Sequence, residues 1–100
     1  MQTYVIRRKN YWKTAEELEK SASLSAKVGT QEMASEVKWI RSYVVREEDG
    51  KLGTVCIYQG VSPEAIQEHA RRAQMPADEI IPVENLVIVN DDPAMAAAGK

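Results

Sequence analysis

The chain concentrates its chemistry in one thiol, Cys56, one imidazole, His69, the rings Trp39, Tyr43 and Tyr58, and the guanidinium Arg41. A thiol that loses its proton is a nucleophile and a soft metal ligand, and a neutral imidazole serves as a ligand or a general base. Cys56 and His69 are therefore the candidate metal ligands, and His69 is also the candidate catalytic acid or base. Trp39, Arg41, Tyr43 and Tyr58 are the candidate small-ligand lining, because such sites are largely apolar with a few polar groups. Each has a plainer reading. Free cysteine packs as a small hydrophobe, a core histidine bonds to backbone, and Tyr, Trp and Arg gather at subunit interfaces. One thiol and one imidazole do not fill a metal's coordination shell, so carboxylates, waters or a second subunit must complete it.

Much other chemistry finds no support. The sequence contains no glycine-rich phosphate loop, no CxxC, no HExxH and no serine with a plausible histidine and aspartate pattern. Thirteen basic and fifteen acidic residues leave a net charge of −2, without the polybasic stripe that a phosphate backbone demands. Nucleic acid is thus not an expected partner. The opening MQTYVIRRKN lacks a signal-peptide core, and no apolar run approaches the length that spans a bilayer. With a lone cysteine unable to form an internal disulfide, a soluble cytoplasmic chain with no membrane partner is expected.

The elements that must position these residues centre on a hairpin. Asp49-Gly50 suits a two-residue turn with positive φ, flanked by runs rich in β-branched and aromatic residues at 37–46 and 53–59. Pairing Glu48 with Lys51 sets Arg41 opposite Tyr58, Tyr43 opposite Cys56 and Val45 opposite Thr54. Alternation then puts Trp39, Arg41, Tyr43, Val45, Thr54, Cys56 and Tyr58 on one face, and Ile40, Val44, Val55 and Ile57 on the other. The aliphatic face asks for helices; the aromatic, thiol-bearing face is left bare.

A strand at 3–8 places Tyr4 and Ile6 on one side and Val5 and Arg7 on the other. Thr14 and Glu17 form a capping box, and the helix that follows carries a stripe of Leu18, Ala22, Leu24, Ser25 and Val28 before Gly29 ends it. Residues 30–36 are undecided between a further helical turn and a loop. Ser62-Pro63-Glu64 starts a second helix that runs to about Ala73. Its buried arc holds Ala65, Ile66, His69, Ala70 and Ala73. Pro76 stops it, and a last strand at 80–89, interrupted by Pro82, is strongest over 86–89. The order strand, helix, strand, strand, helix, strand predicts one α+β domain at 1–90. It is a ferredoxin-like βαββαβ sandwich with both helices on one face of a four-stranded antiparallel sheet, followed by a flexible tail at 91–100. Its bare aromatic face predicts a homodimer packed sheet to sheet, in a dimeric α/β-barrel assembly.

WIRSYV at 39–44, TVCIYQ at 54–59, SPEAIQEHARRA at 62–73 and MPADEIIPV at 75–83 together resemble a family of small bacterial ferredoxin-like domains, often described as nickel-binding proteins. The resemblance covers about residues 4–89. It implies a βαββαβ monomer, a dimer, and binding of nickel or another divalent transition metal, with Cys56 and His69 at the matched positions and Trp39, Tyr43 and Tyr58 beside them. A small-molecule role is the alternative: a cofactor-free monooxygenase or isomerase with His69 as acid or base, or a small-ligand binding protein.

Overall fold

The computed structural model describes residues 1–90 and 92; the expected tail, apart from Asp92, lies outside the described residues. Strand β1 (Gln2–Trp12) is followed by helix α1 (Ala15–Lys27), which passes into a π-helical turn (Val28–Glu32). Strands β2 (Val37–Arg46) and β3 (Leu52–Gly60) form the hairpin, and α2 (Pro63–Arg72) leads to β4 (Glu79–Pro82). The sheet order is β2-β3-β1-β4, every pairing antiparallel. This is the ferredoxin-like α+β arrangement. Among the described residues, no helix is long and apolar enough to cross a membrane.

Local signals explain most element ends. Thr14 Oγ1 accepts from Glu17 N at 3.2 Å, while the Glu17 carboxylate takes the Lys13 N–H, one residue earlier than a capping box requires. Ser62 caps α2 by accepting from Ala65 N, with Pro63 at the first position. Gly29 does not end the first helix. The chain widens there, and Met33 N–H reaches back to the Val28 carbonyl at 2.9 Å.

The hairpin departs from the expected register. Glu47 N–H bonds to Lys51 O at 2.8 Å and Gly50 N–H to Glu47 O at 3.0 Å, with Gly50 at φ 87°. The loop thus holds residues 48–50, a turn closed by a left-handed glycine, and Val45 faces Gly53 instead of Thr54. Between Trp39 and Arg41 the register shifts again, at a bulge that leaves Ile40 without an opposite partner.

The helices also cover the opposite face of the sheet from the one expected. Tyr4, Ile6, Arg8, Thr54, Cys56 and Tyr58 are buried, and they face the helices. Val5, Arg7, Val55 and Ile57 occupy the open face, half-buried. The last strand is also shorter than expected. β4 ends at Pro82, opposite Tyr4, although the Val83 N–H still reaches the Thr3 carbonyl at 2.9 Å, and residues 86–89 stand outside the sheet.

β3 is held closely between its neighbours. A Cβ added at Gly53 would lie 2.6 Å from the Arg8 carbonyl oxygen, so the backbones of β1 and β3 would have to part. Gly53→Ala is expected to destabilise the fold by ~1–3 kcal/mol, read as a lower midpoint in urea unfolding.

Candidate functional site

The inward face of β3 and the helices above it gather most of the chemically able side chains. Tyr58 is the hub. Its hydroxyl shares a 2.9 Å hydrogen bond with Ser25 Oγ of α1, its ring packs on the His69 ring at 5.2 Å between centroids, and Trp39 stacks on it at 5.9 Å. Burial pushes the Tyr58 phenol up to about 12, against the opposing pull of the Ser25 hydrogen bond. Tyr58 therefore stays protonated at any working pH.

His69 lies where the helical wheel puts it, on the buried arc of α2, and is 1% exposed. Its Nε2 stands 3.1 Å from the Ser25 carbonyl. A carbonyl only accepts, so Nε2 carries the proton. Burial lowers the imidazole below its ordinary value, the Ser25 bond opposes this, and the Arg8 charge adds to the lowering. The neutral ring is thus held in place by the backbone of α1.

Cys56 belongs to a second chain of contacts. The Trp39 indole N–H donates to Ser42 Oγ at 2.7 Å, and the Ser42 hydroxyl donates to Cys56 Sγ at 3.0 Å. Arg8 Nη1 approaches the same sulfur at 3.8 Å, while Arg8 Nε donates to the Met75 carbonyl at 3.0 Å. Cys56 and His69 thus share the helix-covered side, but each is committed to different partners. Among the described residues, no group of three or more His, Cys, Asp or Glu side chains could hold a metal ion. A sulfur facing a guanidinium is also a poor seat for a divalent cation, because the two positive charges repel. The residues present here do not fit a metal centre at Cys56 and His69.

The four residues expected to line a ligand site are divided by the bulge. Trp39 and Tyr58 lie under the helices, whereas Arg41 and Tyr43, opposite Ile57 and Val55, belong to the open face. There Arg41 Nη1 contacts the Asp92 carboxylate at 2.5 Å, and the Tyr43 hydroxyl bonds to the same group. Arg8, Ser25, Ser42 and Thr54 were absent from the sequence-based candidates. Arg8 had a signal. It continues the two-residue alternation of Tyr4 and Ile6, the buried side of β1.

Comparison with known proteins agrees with this architecture. A family model described as "Nickel responsive protein SCO4226-like" matches residues 4–83. The crystal structure of SCO4226 from Streptomyces coelicolor A3(2) superposes with a TM-score of 0.68 at 23% identity, covering 85% of this chain and 99% of that one. At that identity the likeness speaks for the fold. No curated protein matches the chain.

The buried imidazole makes stability depend on pH with a definite sign. Because the folded value is depressed, the unfolded chain binds the proton first as pH falls through 6.5. The stability present above that pH is lost progressively down to the folded value. The melting temperature is expected to fall across this window, and His69→Gln is expected to flatten that part of the profile, measured by calorimetry from neutral to mildly acid pH.

Proposed function

The chain belongs to the SCO4226-like family of nickel-responsive proteins, and on that premise we propose that it serves the response to nickel as a homodimer, paired through the open side of its sheet. One observation carries the assembly. Leu86, Val87, Ile88 and Val89 follow β4 as a run of apolar residues between 63% and 85% exposed, and on the open sheet face Val5, Val45, Val55 and Ile57 are only half-buried. Exposed apolar surface of this extent is costly in water and is commonly covered by a partner. A second copy offers the same surface, and twofold pairing closes the assembly. A cytoplasmic setting suits the free thiol at Cys56.

Its work on this reading is binding, with no catalytic role for His69. Nickel, the ion in the family's name, makes its contacts away from Cys56 and His69, since the thiol faces the Arg8 guanidinium and, among the described residues, no group of three or more His, Cys, Asp or Glu side chains surrounds either residue.

Sedimentation of the purified protein is expected to give twice the chain mass. Val87→Asp, at a position 81% exposed and so of little consequence to the monomer's core, is expected to shift the population to monomer. A wild-type protein that sediments as a monomer at tens of micromolar would sink the assembly. Separately, whatever change nickel chloride makes to the melting temperature of the wild type is expected to persist in Cys56→Ser. Loss of that change in the variant would return the metal to the thiol.

A further inference from the structure

A cleft of about 190 Å³ opens between α1 and the inward face of the sheet. Arg8, Ser42, Thr54 and Cys56 contribute from the strands, Leu18 and Ala22 from the helix, and the rings of Trp12 and Trp39 also border it. Its surface is almost wholly apolar, yet two polar groups set into it are short of partners, Thr54 wholly and Arg8 in part. Thr54 Oγ1 is buried without a hydrogen-bond partner. Arg8 is 1% exposed, and among the described residues its only bonds are those from Nε to the Met75 carbonyl and from Nη1 to the weakly accepting Cys56 sulfur.

The charge is as unusual as the missing bonds. Ion pairs among the described residues engage Arg7, Arg41, Arg71 and Arg72, and none engages Arg8. Glu19, the one acidic residue bordering the cleft, is exposed and outside ion-pair distance. A guanidinium does not shed its proton on burial, so a buried one without a counter-ion carries a steep desolvation cost. An incoming carboxylate would relieve it by accepting two parallel N–H bonds, with Thr54, the cross-strand neighbour of Arg8, free to donate its hydroxyl.

We propose that this cleft binds a small, largely apolar monocarboxylate, its acid group meeting Arg8 and Thr54 and its body resting against Trp12 and Trp39. The apolar lining decides against phosphate or sulfate. One cation balances one negative charge, and the further oxygens of a dianion would be buried unpaired. Size limits the body to about one ring, since the cavity is below the ~300–1,000 Å³ of sites for drug-sized ligands. This site rests on residues within one chain and stands whether or not the chain pairs with itself.

Both tryptophans border the cleft, so their fluorescence reports its occupancy. The full-length protein in a carboxylate-free buffer would be titrated with benzoate, with benzyl alcohol as the uncharged counterpart and with inorganic phosphate as competitor. Benzoate is expected to give a saturable change, benzyl alcohol to bind roughly tenfold more weakly or worse, and phosphate not to displace benzoate at equal concentration. Arg8→Met is expected to abolish the preference for the acid, and Thr54→Val to weaken benzoate several-fold. The proposal is overturned by the absence of saturation, by equal affinity for acid and alcohol, by displacement by phosphate, or by unchanged benzoate affinity in Arg8→Met. Should Arg8→Met not fold, unchanged affinity in Thr54→Val overturns it instead.

Discussion

A closed ring of contacts ties both helices to the sheet. The Tyr58 hydroxyl on β3 bonds to the Ser25 side chain on α1, the Ser25 carbonyl accepts from His69 on α2, and the His69 ring returns to the Tyr58 ring. Each bond contributes only about 0.5–1.5 kcal/mol net, but leaving any of these buried groups unpaired would cost about 1–3 kcal/mol. The ring therefore acts less as glue than as a specification. It admits only one placement of the two helices over the sheet, the one in which both reach β3 at Tyr58.

The requirement reaches into the hairpin. For Tyr58 to meet Ser25, β3 must turn Thr54, Cys56 and Tyr58 inward. β2 must accommodate that register while keeping Trp39 stacked on Tyr58 and Ser42 within reach of the thiol. A regular strand sets residues 39 and 42 on opposite faces. The bulge at Ile40 puts them on the same one, and in doing so sends Arg41 and Tyr43 outward. An irregularity of one residue thus separates two groups of aromatic side chains that alternation alone would unite.

Covering the polar face with helices creates the molecule's principal electrostatic tension. Arg8 is drawn inside by the alternation of β1, beside a sulfur and beneath α1, whose cleft-bordering Leu18 and Ala22 are apolar. Arg7, one residue earlier, faces the other way and pairs with Glu47 at 3.1 Å. Adjacent arginines thus meet opposite fates through the two-residue period of a strand. The same positive charge that disfavours a cation at Cys56 favours an anion in the neighbouring cleft.

Much of this was legible from residue order alone, because its causes are local. Ser62-Pro63 starts α2, the wheel buries Ala65, Ile66, His69 and Ala70, and Tyr4 and Ile6 share the inner face of β1. The succession of strands and helices yields the ferredoxin-like topology. Long-range packing settled the rest. Whether Glu48-Asp49-Gly50 makes a loop of two residues or three, and whether Ile40 is skipped, depends on what lies against the strands. Local propensity barely distinguishes the options, but a one-residue slip reverses every side chain beyond it. The helices cover the face that offers Tyr58, because the buried Ser25 hydroxyl of α1 needs a partner that an aliphatic face could not have supplied.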